Sequence, residues 1–127
     1  MLRPNPTPME PSKASGYRSV FAPRLFDGRV MWVTGGGSGI GRCVAHELAA
    51  LGATVVISGR KVDKLDRVVA EITEDGGSCE RLAFDIRDED AVKAAVAGIV
   101  QQHGRIDALV NNAGGQFPSP LMAIPKK

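Results

Sequence analysis

Residues 34–41 read Thr34-Gly35-Gly36-Gly37-Ser38-Gly39-Ile40-Gly41. Glycines let a chain turn sharply and bring its backbone against a ligand with no Cβ in the way. Where such a turn opens a helix, free N–H groups and the positive end of the helix dipole attract an anion, typically a phosphate. The Ser38 hydroxyl adds a donor. Three interpretations compete for this run. The first is a ligand-free turn. The second is a P-loop, whose spacing Gly36 and Gly41 satisfy. That loop would need a lysine where Arg42 stands and a serine or threonine where Cys43 stands, so both of its key positions fail. The third is a dinucleotide-binding turn with glycines at 35, 39 and 41, a G-x-x-x-G-x-G spacing that the sequence satisfies.

The elements around the turn must present it at a strand-to-helix junction, and the hydrophobic pattern supplies one. Arg29–Val33 is a short apolar run that fits a buried strand. Ile40–Leu51 carries Val44, Leu48 and Leu51 at helical spacing and is closed by Gly52. Thr54–Ile57 is β-branched throughout, as in a central strand. Lys64–Ile72 predicts a second helix, Glu80–Phe84 a third strand and Glu89–Gln102 a third helix with Val92, Val96, Ile99 and Val100 on one face. Ile106–Val110 predicts a fourth strand, closed by Asn111-Asn112-Ala113-Gly114. Each helix supplies the right-handed crossover that a parallel pair requires. The expected fold is therefore α/β, a Rossmann-type doubly wound parallel sheet with strand order 3-2-1-4.

Composition and proline placement set the limits. The 127 residues are 43% hydrophobic and 24% charged with a net charge of +2, which gives no basic surplus for nucleic acid or an anionic membrane. No run approaches the ~20 apolar residues of a membrane span. The proline-broken start lacks the apolar segment of a secretory signal, so a reduced cytoplasmic setting is expected. Two cysteines are too few for a disulfide scaffold. Arg24–Phe117 contains no proline, which suggests an extended or disordered stretch over 1–23, a folded unit over 24–117 and a short stub over 118–127. Ser19–Phe26 is apolar enough to dock on that unit. Cys43 and Cys79 read as small hydrophobes, Trp32 as core, and His46 and His103 as helix residues without partners at metal-ligand spacing.

The pair of motifs, Thr34-Gly35-x-x-x-Gly39-Ile40-Gly41 and Asn111-Asn112-Ala113-Gly114, in this order along a βα series, resembles the short-chain dehydrogenase/reductase family. Ser58-Gly59-Arg60-Lys61, the run Asn112–Pro120 and the leader Tyr17–Phe21 are similar to the branch that holds 2-enoyl-CoA and 2,4-dienoyl-CoA reductases. Some relatives of that branch act on terpenoid alcohols. The resemblance implies hydride transfer between a nicotinamide cofactor and a small-molecule substrate, here an acyl-CoA. It also implies cofactor contacts at Gly35, Ser38, Gly39, Ile40 and Gly41, adenine contacts at Asp85 and Ile86, and a nicotinamide-ribose contact at Asn112, Ala113 and Gly114. The same resemblance places Arg87 and Phe117 toward the acyl-CoA. Asp85 could equally cap the helix that starts near Asp88, and the Asn112 amide could brace the sheet.

The end of the second strand chooses between cofactors. An acid there would bind the adenosine ribose of NAD(H), but the position is Gly59, followed by Arg60 and Lys61. A guanidinium suits a 2′-phosphate, so NADP(H) is expected over NAD(H), although a solvated basic turn would look the same. The family's Tyr-x-x-x-Lys pair has no counterpart: the one tyrosine is Tyr17, and Phe21 stands four residues on. Relatives continue as roughly Ala-Ile-Ser-Pro-Lys-Gly where this chain has Ala123-Ile124-Pro125-Lys126-Lys127. The resemblance thus implies the first half of a longer, homo-oligomeric enzyme, with an unpaired edge on the fourth strand. Purified 127-residue chain mixed with NADPH and a short trans-2-enoyl-CoA is expected to show no NADPH oxidation. Turnover above the protein-free rate would contradict this.

Overall fold

The computed structural model describes residues 19–114. The elements run β1 (Val30–Thr34), α1 (Gly39–Ala50), β2 (Thr54–Gly59), α2 (Val62–Glu74), β3 (Ser78–Ala83), α3 (Glu89–His103) and β4 (Ala108–Val110). All pairings are parallel and the order is β3-β2-β1-β4, as the alternating pattern predicts. β1 and β2 are central, and their near-continuous apolar sequence follows from burial on both faces. Alternation of apolar and polar residues is absent there because neither face meets water.

Side-chain alternation divides the core into two layers. Met31, Val33, Val55 and Ile57 pack against Ala45 and Ala49 of α1 and Leu65, Val68 and Ile72 of α2. Val30, Trp32 and Val56 face the other way, onto Ala95 and Ile99 of α3. Trp32 is buried, and its indole Nε1 donates to the fully buried Ser58 hydroxyl at 2.9 Å. That bond satisfies a polar N–H inside the core and ties β1 to the end of β2.

Several boundaries differ from the sequence expectation, for local reasons. α2 begins two residues earlier than the apolar spacing suggests, because Asp63 suits the first turn of a helix. β3 begins at Ser78, where backbone pairing to Thr54 starts ahead of the apolar residues. β4 starts at Ala108 rather than Ile106. Asp107 takes over at its base: its amide donates to the Val30 carbonyl at 2.8 Å and its carboxylate accepts from the Val30 amide at 2.8 Å. α3 is rotated so that Ala95 and Ile99, one turn apart, face the sheet with Val92 beside them. Val96 and Val100 remain exposed, which corrects the single buried face expected for the four aliphatics. Among the described residues β4 pairs only with β1, and Leu109 is exposed on the α3 side of that edge.

The leader docks through two contacts. Phe26 packs on the α1–α2 layer with its amide on the Leu51 carbonyl at 2.9 Å, and the Ser19 hydroxyl bonds to the Glu47 carboxylate. Val20 and Phe21 stay exposed. His46 pairs with Glu71 at 2.8 Å, linking α1 to α2, and His103 pairs with Glu80 at 3.1 Å beside the left-handed Gly104 cap. Among the described residues no three candidate ligands gather to hold a metal, and no helix is long and apolar enough to cross a membrane.

The two cysteines differ. Cys43 is exposed on α1, on the face of the helix turned from the Ala45–Ala49 stripe. Burial pushes the Cys79 thiol up to about 12, with Glu80 adding to the shift. The thiolate is the reactive form, so Cys79 is inert at neutral pH. Ellman's reagent at pH 8 is expected to modify Cys43 in the native chain and Cys79 only after denaturation. Fast modification of both thiols in the native state would contradict this arrangement.

Candidate functional site

β1 ends at Thr34, and three strands meet there. The Thr34 hydroxyl donates to the Val110 carbonyl at 3.2 Å and accepts from the amides of Asn112 and Ala113, each at 3.0 Å. The Asn112 side-chain amide donates to the Thr34 and Gly35 carbonyls, each at 3.2 Å, so it braces β4 against the start of the glycine turn. From the other side, the Ser58 carbonyl of β2 accepts from the Gly35 and Gly36 amides at 2.8 and 3.2 Å. Those two amides are therefore committed to the scaffold.

The donors left for an anion lie further along. The first backbone bond of α1 runs from the Arg42 amide to the Ser38 carbonyl, so the amides of the first helical turn have no intrahelical acceptor. Ser38 is the N-cap residue in extended conformation, and its hydroxyl makes no capping bond. Gly35 and Gly41 are two of the glycines that the shape requires. Gly35 has a φ of +67°, the left-handed region. A Cβ on Gly41 would strike the Gly35 carbonyl oxygen and stand 2.5 Å from the Asn112 side-chain nitrogen. The helix can start this close to the sheet only without that atom.

The strand ends enclose an open cleft of about 700 Å³. Of the expected residues, Gly35 and Ser38 line it from the turn, and Arg60 and Lys61 from the end of β2. Asp85, Ile86 and Arg87 line it after β3, and Asn112, Ala113 and Gly114 after β4. Gly39, Ile40 and Gly41 do not line the cleft: Gly41 is buried beneath the turn, while Gly39 and Ile40 are exposed at the helix start. Phe117 lies outside the described residues, as do Tyr17 and the 118–127 stub.

The structure adds lining residues that the sequence pattern alone leaves unnoticed. Lys64, in the first turn of α2, stands four residues after Arg60 and has its β-carbon 3.3 Å from where a Cβ on Gly37 would lie. Phe84 lines the cleft and tilts against Trp32, with ring centroids 6.3 Å apart, so the cleft wall rests on the core. Arg60, Lys61 and Lys64 form no salt bridge among the described residues.

The acid in the cleft behaves differently. Asp85 receives Arg87 Nε at 3.1 and 3.2 Å, Arg87 Nη2 at 2.7 Å and the Arg87 amide at 2.9 Å. These Arg87 bonds, side chain first and backbone second, hold the Asp85 carboxyl at about 2, below its ordinary range. Capping of α3 falls to Asp88, which accepts from the Ala91 amide at 3.1 Å, so Asp85 does not serve as that cap.

A glycine cradle that a Cβ would fill, an uncommitted N-cap hydroxyl, small residues after β4 and a basic strand end together fit a phosphate-rich dinucleotide. The short chain dehydrogenase family profile matches residues 29–127. A solved citronellol catabolism dehydrogenase of Pseudomonas aeruginosa is 60% identical with a TM-score of 0.77, covering 87% of this chain and 45% of that one. A metagenomic short-chain oxidoreductase solved in complex with NADP is 44% identical with a TM-score of 0.71, covering 79% and 46%. A peroxisomal 2,4-dienoyl-CoA reductase of Danio rerio is 35% identical over 109 residues, 85% of this chain and 36% of the relative. The chain spans less than half the length of each of these proteins. It belongs to the short-chain dehydrogenase family.

Proposed function

We propose that the cleft binds NADP(H) in preference to NAD(H), as the cofactor-binding part of an oxidoreductase. One observation carries the preference. The end of β2 offers Gly59 where an acid would bind an unphosphorylated ribose, and Arg60, Lys61 and Lys64 reach the same cleft without salt-bridge partners among the described residues. Three free cations favour a 2′-phosphate over a neutral hydroxyl, and the Arg60 guanidinium can grip it bidentately. The NADP complex of the metagenomic relative supports this choice.

In this account each group of residues has a separate task. The free amides of the α1 start and the Ser38 hydroxyl hold the diphosphate. The Asp85–Ile86 segment borders the adenine, and Asn112–Gly114 let the nicotinamide ribose approach the strand end closely. The cofactor, when bound, supplies or accepts a hydride. The chain's residues bind it, orient it and keep the glycine turn rigid.

The substrate we favour is a 2-enoyl-CoA or related activated alkene. The likeness to the dienoyl-CoA reductase supports this, and Phe117 would then lie toward the acyl-CoA. A second reading, an alcohol or carbonyl dehydrogenase, has support in the 60% identity to the citronellol catabolism enzyme. Both readings, like homo-oligomerisation, rest on relatives of which this chain spans less than half, and both use the same cofactor cleft.

Arg60→Ala tests the cofactor assignment in direct titrations of the purified chain. Removing a charge-assisted contact of about 1.5–3 kcal/mol is expected to weaken NADPH tenfold or more. NADH binding should change by less than about twofold, since it has no phosphate at that position. Unchanged NADPH affinity would sink the assignment.

A further inference from the structure

Among the described residues lining the cleft Asp85 is the single acid, and it shares that cleft with the three cations of the β2–α2 corner. Left alone, its carboxylate would act on a 2′-phosphate in two unfavourable ways. It would repel the anion directly, and it would compete for the nearest guanidinium. Arg60 and Asp85 follow the paired ends of neighbouring strands: Gly59 is in register with Ala83, and the Phe84 amide donates to the Gly59 carbonyl at 2.9 Å. The structure shows why neither happens. Arg87, two residues on, closes around both carboxylate oxygens through Nε and Nη2 and anchors the same side chain with its own amide.

We propose that Arg87 is a specificity-determining positioning residue: by occupying the Asp85 carboxylate it leaves Arg60 free for the cofactor's 2′-phosphate. The inference rests on the NADP(H) reading and goes beyond it. It places the action of Arg87 at the phosphate end of the cofactor and not at the acyl substrate. The geometry suits a lasting pair. The arginine and aspartate are separated by one residue, so little chain entropy opposes their contact, and the amide bond is an Asx-type turn that fixes the carboxylate. Arg87 itself is largely solvent-exposed, which screens the pair and keeps the expected effect moderate.

The test compares the NADPH-to-NADH affinity ratio, by direct titration of the 127-residue chain, in wild type, Arg87→Ala, and the double variant Asp85→Asn/Arg87→Ala. Far-UV circular dichroism checks that each variant is folded. Arg87→Ala uncovers the carboxylate and is expected to lower the ratio about five- to tenfold, mostly through weaker NADPH binding. Neutralising Asp85 in the double variant should restore the ratio to within about twofold of wild type, because the competing charge is gone. A ratio that Arg87→Ala leaves unchanged overturns the inference. So does a loss that persists in the double variant, because Arg87 would then contact the phosphate itself or serve the fold alone. A wild-type ratio at or below one would instead overturn the NADP(H) reading, and the inference with it.

Discussion

The Thr34 hydroxyl and the Asn112 side-chain amide together decide where everything at the carboxyl ends of the strands can stand. Thr34 bonds the backbone on both sides of the β4 turn, and Asn112 returns two bonds to the carbonyls of Thr34 and Gly35. The Ser58 carbonyl closes the same junction from β2. The glycine turn is thereby held from left and right before any ligand arrives. Binding needs little further ordering of backbone, which is the main cost a flexible loop would carry.

The junction in turn depends on the layers beneath it. Trp32 and Ser58 meet inside the core and fix how β1 and β2 lie at their ends, while Phe84 carries that contact out to the cleft wall. At the opposite end of β1, Asp107 repeats the arrangement with Val30. A short β4 of three residues is thus pinned at both ends, which compensates for its few ladder bonds. Charge is handled as economically as shape: the basic corner after β2 is left without salt-bridge partners among the described residues, and the acid after β3 is occupied by its own neighbour.

Much of this was legible in the residues. The alternation of β-branched runs with helical spacing determined the strand order, because right-handed crossovers leave few alternatives. The glycine spacing located the turn, since close packing of Gly41 under Asn112 admits no larger residue. Other features could not be read locally. The place of Lys64 in the cleft depends on how β2 and α2 lie together, and helical spacing alone does not say which aliphatics of α3 meet the sheet. The pairing of Asp85 with Arg87 turns on side-chain rotamers, to which residue spacing is nearly blind.

The central claim is that the turn after β1 and the strand ends beside it form one preassembled nucleotide site. Amide chemical-shift mapping of the ¹⁵N-labelled chain during an NADPH titration tests it most directly. The largest shifts are expected on 37–41, 59–61, 85–87 and 112–114, with α3 and the base of β4 nearly still. Saturable shifts centred on α3 or the β4 edge, or no shifts at millimolar NADPH, would contradict it.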